Sequence, residues 1–130
     1  RYHFPFYCVP SDVREIDGGY DSVRPIVYQS GYQPLMTNKR RVTVLQSKSC
    51  GETAFVAVGA MGVGRMVETY HPESDAQKGE EIGYFEFGGS TVVLVFEPGK
   101  VELSPSIISR SKQGVETPVK MGDVVAKIIT

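Results

Sequence analysis

Short strand-length runs, each closed by a glycine- or proline-containing turn, constrain the fold of this chain more than any other feature. The sequence contains 14 Gly and 8 Pro, and stretches with the 3.6-residue period of an amphipathic helix are scarce. The runs are rich in Val, Ile, Tyr and Phe, which fit the pleated surface of a sheet. The predicted strands cover residues 23–29, 41–46, 54–58, 64–69, 81–87, 91–96 and 124–129. Close, even spacing of this kind predicts a mainly all-β fold, a barrel-like β-sandwich with at most one or two short helices, one of them near residues 106–109.

Length and charge indicate a single domain and argue against a nucleic-acid-binding or membrane-spanning protein. The chain has 130 residues, of which 41% are hydrophobic, and we expect one compact domain covering residues 1–130. A formal net charge of -1 leaves no basic excess, so we predict no nucleic-acid partner. The longest apolar runs, such as residues 91–96, are too short to span a bilayer. Because the chain opens at Arg1 without an initiator Met, we interpret it as a fragment or processed piece of a longer precursor.

The cysteines and histidines do not have the spacing of a metal site. Cys8 and Cys50 are far apart in the sequence and form no paired motif, which predicts two free thiols and no bound metal. His71 lies in the polar stretch Tyr70-His71-Pro72, and we interpret it as solvated and non-catalytic.

The most informative segment is an aromatic run that enters Gly88-Gly89-Ser90 and leaves as a β-branched run. On its own, Gly-Gly-Ser is typical of a tight turn between strands. The same residues also permit self-cleavage, because a glycine before serine adopts dihedral angles closed to other residues and places no Cβ in the path of the hydroxyl. The ester formed by Ser90 can eliminate, and hydrolysis then leaves a pyruvoyl group at a new N-terminus. Such a carbonyl condenses with an amine and withdraws electrons.

Two long motifs resemble the phosphatidylserine decarboxylase family. The first covers residues 56–64, and the second runs from residue 78 to residue 96 and contains Gly-Gly-Ser-Thr. Shorter agreements follow the same order: Arg1-Tyr2-His3 with Pro5, residues 24–26, residues 38–40 and residues 116–122. Together these motifs cover most of the chain and are specific for the family, whereas an isolated Gly-Gly-Ser is not. The chain is similar to a Gly-Gly-Ser-Thr branch of that family.

The resemblance implies self-cleavage between Gly89 and Ser90. Residues 1–89 would then belong to the larger β chain, and residues 90–130 would form the smaller α chain, which carries a covalent pyruvoyl cofactor derived from Ser90. The expected zymogen matures into an enzyme of phospholipid biosynthesis that converts phosphatidylserine to phosphatidylethanolamine. Its expected partners are the phospholipid at a membrane surface, the α and β chains of one precursor, and a second copy in a homodimer. Membrane association is expected, in a compartment that the sequence does not identify.

The resemblance also assigns a role to His3, which matches the family histidine two residues before a proline. In the family this histidine works with a serine and an upstream aspartate in self-cleavage and is implicated in decarboxylation; histidine as a residue type can take up and release protons in catalysis. The aspartate is not in this chain, and Phe4 and Phe6 stand where the family usually has smaller residues. Phe4 and Phe6 are candidates for an apolar substrate pocket or for the core. We expect backbone N–H groups near Gly88 and Gly89 to stabilise developing negative charge.

Three alternative functions stay open at this point. The first keeps the pyruvoyl chemistry but acts on a free aromatic amino acid, which Phe4, Phe6 and Tyr7 favour. The second is a non-catalytic lipoyl- or biotinyl-like β-barrel that binds a partner or carries a swinging arm. The third, a Ser-His-Asp hydrolase built on Ser90 and His3, lacks the Gly-x-Ser-x-Gly pattern of a nucleophile elbow.

The carrier alternative depends on a weak internal repeat. A lysine, a turn glycine, an acid and a strand follow one another in residues 78–83 and again in residues 120–126. Neither Lys78 nor Lys120 has the symmetric flanks of a carrier lysine, and turn chemistry alone explains the repeat.

Overall fold

The chain folds mainly into β-strands in the computed structural model, which describes residues 1–63 and 65–129. In that part of the chain the strands are β1 (Tyr2–His3), β2 (Val9–Pro10), β3 (Arg14–Ile16), β4 (Arg40–Ser47), β5 (Gly51–Val58), β6 (Arg65–Glu68), β7 (Glu81–Glu86), β8 (Thr91–Phe96), β9 (Val101–Leu103) and β10 (Ala126–Ile128). The described helices are α1 (Pro25–Gln29), α2 (Pro34–Thr37) and α3 (Pro105–Lys112). The prediction of a mainly-β fold is confirmed, with three short helices where at most two were predicted.

The N-terminal half departs most from the predicted elements. The predicted strand at residues 23–29 is wrong, because Pro25 starts helix α1 there. Proline fixes φ near the helical value and has no N–H to leave unsatisfied in the first turn, so it favours a helix start. The predicted strand at residues 64–69 corresponds to β6, and Gly64 itself lies outside the described residues. The helix predicted near residues 106–109 lies within α3.

The strands form two larger antiparallel sheets and one hairpin. The first sheet has the order β2-β4-β5-β8, with β3 also paired to β4, and the second has the order β1-β7-β6. Strands β9 and β10 pair with each other. Within the described residues these sheets do not close into a barrel, so the sandwich part of the prediction describes the architecture better than the barrel part.

The core lies between the two larger sheets. Side chains alternate along β5, where Thr53, Phe55 and Ala57 are buried and the residues between them are more exposed. The core cluster also draws on both sheets, with members Tyr2, Phe4, Phe6, Cys8, Leu45, Cys50, Met66, Ala76 and Ile82. Fully burying side chains of the size of Leu45 or Ile82 contributes roughly 1.5–3 kcal/mol each. The two sheets are therefore held face to face by hydrophobic packing.

The internal repeat corresponds to two turns of the same construction. Gly79 and Gly122 both adopt positive φ, at 87° and 94°. In each turn an acidic side chain accepts a hydrogen bond from a backbone N–H three residues earlier, Gln77 to Glu80 at 2.9 Å and Lys120 to Asp123 at 2.8 Å. The repeat is therefore explained by turn chemistry.

The last part of the chain forms a small unit of its own. In the described residues β9 pairs with β10, and the N–H of Ser104, the N-cap of α3, donates to the Val125 carbonyl at 2.9 Å. Many of its apolar side chains are exposed, including Leu103, Val119 and Val124. None of the described helices, α3 included, is long and apolar enough to cross a membrane.

Candidate self-processing site

Residues 87–90 connect β7 to β8 and cross from one sheet to the other. Strand β7 is central in the three-stranded sheet, whereas β8 pairs with β5 in the other sheet. The tight-hairpin interpretation of Gly-Gly-Ser is therefore wrong, because the strands on either side do not pair with each other. We call residues 87–90 the inter-sheet linker.

The backbone of the inter-sheet linker is strained at its first residue. Phe87 has φ of 63° and Gly88 has φ of 123°. Positive φ is costly for a residue with a Cβ, and such strain persists only where the surrounding structure holds it. Gly89 does not share this conformation, and a Cβ added there would meet no atom within 4 Å. The conformational need for glycine is thus at Gly88, whereas Gly89 offers open space.

Ser90 presents a buried hydroxyl that has no hydrogen-bond partner among the described residues. Tyr2 and Thr53 share this property, but both lie inside regular strands. An unpaired buried hydroxyl loses its bonds to water without compensation, so it is rare unless the position serves another purpose. In Ser90 the hydroxyl adjoins a strained backbone and the open Gly89.

A cavity of about 430 Å³ lies beside the inter-sheet linker. Its lining residues are Tyr20, Ala60, Gly62, Val63 and Phe87. Phe87 is 85% exposed, and a Cβ on Gly88 would lie 4.0 Å from the Gly62 carbonyl oxygen. The turn that contains Gly62 therefore faces the linker, and the cavity is bounded mainly by apolar groups.

A second cavity of similar volume has a charged lining and shares Tyr20 and Val63 with the first. Lys39 pairs with Glu15 at 3.0 Å, and Arg41 bridges Glu15 and Glu68, with 2.7 Å from its Nε to the Glu68 Oε1. The hydrogen bond from Lys39, together with the Arg41 pair, lowers the pKa of Glu15. The lining of the second cavity therefore carries both positive and negative side chains, paired with one another.

His3 lies at the far end of β7 from the inter-sheet linker. It is half-buried and pairs with Glu81, the first residue of β7. Ser90 lies four residues beyond Glu86, the last residue of that strand, and the five residue steps from Glu81 to Glu86 span about 17 Å. The β1–β7 register therefore places His3 at the end of β7 opposite to the end that leads into Ser90, and the catalytic role of His3 stays a prediction.

The structure places Phe4 and Phe6 in the core. They are 2% and 9% exposed, and they pack against Tyr70 and Phe96 at ring-centroid distances of 5.8 Å and 6.3 Å. Neither residue lines the cavity at the linker. The role of these rings in a substrate pocket stays a prediction, and core packing accounts for both.

The structure also shows where the other histidine and the two cysteines lie. His71 is exposed between β6 and β7, and Cys8 and Cys50 are buried free thiols. Within residues 1–63 and 65–129, no three His, Cys, Asp or Glu side chains are grouped to hold a metal ion.

Sequence reasoning did not single out Tyr20 or the turn at residues 60–63 as parts of the site. Their position depends on the pairing of β5 with β8, in which Val58 opposes Thr91. The available signal was the glycine-rich stretch at residues 59–64, which the family motif included but to which no role had been assigned.

Known proteins match the chain over nearly its whole length. The family described as phosphatidylserine decarboxylase matches residues 1–127. A phosphatidylserine decarboxylase proenzyme of Chlamydia trachomatis serovar L2 is 39% identical over 127 residues, covering 98% of this chain and 42% of that protein. The proenzymes of Chlamydia pneumoniae and Chlamydia caviae are 38% and 37% identical with the same coverage. No solved structure matches the chain.

These matches place the chain in a family whose named members are decarboxylases, a class of lyases. The chain belongs to the phosphatidylserine decarboxylase family. The resemblance identified from the sequence motifs is thereby confirmed, and the free-amino-acid and carrier alternatives are not favoured. The chain spans 42% of the length of the relatives it matches.

Proposed function

We propose that the chain forms the self-processing part of a pyruvoyl-dependent decarboxylase that converts phosphatidylserine to phosphatidylethanolamine. The observation that carries the proposal is the unpaired hydroxyl of Ser90 at the end of a strained linker. Family membership supports the substrate, and the proenzyme names of the relatives are consistent with a chain that is cut during maturation.

The proposed cleavage begins with attack by the Ser90 oxygen on the carbonyl carbon of Gly89. The peptide C–N bond breaks as an ester C–O bond forms, and the amide nitrogen takes up a proton. Elimination then releases Gly89 as a carboxylate and leaves a dehydroalanine at position 90. Its imine tautomer is hydrolysed by water, ammonia departs, and a pyruvoyl group remains at the start of the shorter chain. Each step balances with water as the added reactant.

The residues around Ser90 fit the formation of this group. Gly89 places no side chain against the attacked carbonyl. In the described part of the chain, the N–H groups of Gly88 and Gly89 have no hydrogen-bond acceptor. After cleavage they are available to negative charge that develops on a substrate beside position 90, a role typically worth about 10²–10³ in rate for one donor.

The same residues would serve the mature enzyme. The pyruvoyl group supplies a carbonyl that binds the substrate amine and draws the electrons left by departing carbon dioxide. Tyr20, Ala60, Val63 and Phe87 provide a mainly apolar wall at the start of the linker that leads to position 90. A lipid substrate would present its head group at this wall from a membrane surface. His3 remains the sequence-based candidate for proton transfer to the substrate carbon.

Replacement of Ser90 tests the proposal directly. We expect the wild-type protein to run as two pieces on a denaturing gel, with residues 90–130 lighter by one ammonia than a serine-initiated fragment in intact mass spectrometry. Ser90→Ala should stay uncut and release no carbon dioxide from phosphatidylserine. Ser104→Ala, at the N-cap of α3, is the matched control and should be cut normally. A Ser90→Ala protein that splits at the same bond contradicts the proposal.

A further inference from the structure

Asn38 is a fully buried polar residue that joins three separate segments of the chain. Its exposed fraction is 0%. Its Nδ2 group donates to the carbonyl oxygens of Asp21 and Gly59, both at 2.8 Å, and its Oδ1 atom accepts from the Asp21 N–H at 3.1 Å. A buried amide that satisfies these bonds fixes its partners in place, because each partner would otherwise be left unpaired in the interior.

The backbone around Asn38 reinforces these side-chain bonds. The Gly59 N–H donates to the Lys39 carbonyl at 2.7 Å, and the Lys39 N–H donates to the Gly19 carbonyl at 2.9 Å. At Gly18 an added Cβ would lie 2.2 Å from the Thr37 carbonyl oxygen, so these segments are in close contact. The segments around residues 19, 38 and 59 therefore form one hydrogen-bonded junction.

Two of the joined segments lead directly to the inter-sheet linker. Gly59 follows Val58, the residue that opposes Thr91 at the start of β8, and it precedes the turn at residues 60–63. Tyr20 precedes Asp21, and its ring carbons would lie 3.3 Å from a Cβ on Gly59. Tyr20 and residues of that turn line the cavity beside the inter-sheet linker, at Phe87. The junction thus fixes the positions of Tyr20 and the turn at residues 60–63, which line the cavity.

We propose that Asn38 is the positioning residue that sets the geometry of self-cleavage at Ser90, an inference that rests on the proposed processing function. Among the described residues Asn38 makes no hydrogen bond to the Ser90 hydroxyl. It acts through Gly59 and Tyr20, which fix the turn at residues 60–63 against the linker. A shift of about 1 Å in a reacting geometry can cost about 10²-fold in rate, so loss of this junction slows the attack even in a folded protein.

The test compares variants that differ in the number of side-chain donors at position 38. Asn38→Ser keeps one donor and Asn38→Ala keeps none. We expect the first-order rate of cleavage, followed on denaturing gels, to fall in the order wild type, Asn38→Ser, Asn38→Ala, with a loss of about 10²-fold for Asn38→Ala. Hydroxylamine, which cuts the ester but leaves the peptide bond, reports ester formation separately and should show the same order.

A matched control separates positioning from general stability. Leu45→Ala removes a fully buried side chain from β4 in the core, away from the linker. Rates are compared at a temperature where circular dichroism shows each variant folded. Slow cleavage in the Asn38 variants with normal cleavage in Leu45→Ala supports the proposal. Equal rates in all variants, or slowing that follows the loss of stability in every variant, overturn it. An uncut wild-type protein overturns the processing function as well.

Discussion

At the scale of single residues, the two glycines of the linker have different physical tasks. Gly88 has a backbone conformation that favours glycine, whereas Gly89 has ordinary φ and free space around its α-carbon. Phe87 adds a strained, exposed aromatic residue just before them. Backbone strain of this kind costs of order 1–3 kcal/mol per residue and is common at active sites.

This difference predicts opposite results for two alanine substitutions. Gly88→Ala should lower the free energy of unfolding by roughly 1–2 kcal/mol, because positive φ is unfavourable for alanine. Gly89→Ala should leave that free energy within about 0.5 kcal/mol of wild type. It should nevertheless slow cleavage, because its methyl group lies beside the attacked carbonyl. Urea unfolding of an uncut Ser90→Ala background and gel-based cleavage rates measure the two effects. Normal cleavage of Gly89→Ala would show that the open space has no chemical role.

Cys8 gives a prediction for the alkaline range. Burial, with a smaller effect of Cys50, raises the pKa of the Cys8 thiol from 9.0 to about 11. The unfolded chain therefore loses this proton first, so stability is fully present below pH 9 and falls as the pH rises towards 11. Two pKa units correspond to about 2–3 kcal/mol. Urea unfolding at about pH 8 and about pH 10.5 should show this decline in wild type and in Cys50→Ala, but a smaller one in Cys8→Ala. An unchanged decline in Cys8→Ala would assign it to other groups, such as Tyr2, whose pKa burial also raises.

At the scale of elements, the sequence predicted the long strands well and the short ones poorly. Strand β8 begins and ends where the β-branched run does, and β4, β5 and β7 lie on predicted runs. Strands β1 and β2 have two residues each, too short for any period to show, and they exist because β7 and β4 offer partners. Helix α1 formed in a run with strand-like composition because the position of Pro25 outweighed the propensity of its neighbours.

In the candidate site, too, residues set by local sequence were predictable and residues set by long-range pairing were not. Ser90, Gly88 and Gly89 were identifiable because their chemistry depends on adjacent residues in the sequence. Tyr20 and Asn38 were not, because their approach to the linker follows from strand register between β4, β5 and β8, a long-range property. The placement of His3 opposite Glu81 has the same origin, since the pairing of β1 with β7 sets it.

At the scale of the whole molecule, the proposed cut falls between two sheets that share one core. Strand β8 follows the cut and pairs with β5 at six positions, from Thr53 with Phe96 to Val58 with Thr91. Its side chains Val92, Leu94 and Phe96 pack against the core cluster. The cut therefore removes a connection in the chain without removing the pairing or the packing that holds residues 90–130 in place.

We therefore expect the two pieces of the processed protein to stay together until they are denatured. They should co-elute on size exclusion in buffer and separate in strong denaturant, where both the β5–β8 hydrogen bonds and the core are lost. Leu94→Asp places a charge against the core and should release residues 90–130 after cleavage, because an unpaired buried charge is costly. Leu103→Asp is the matched control, since Leu103 is 46% exposed in β9 and should leave the complex intact. Separation of the wild-type pieces in native buffer would mean that the unbroken linker, and not the β5–β8 pairing, holds the sandwich together.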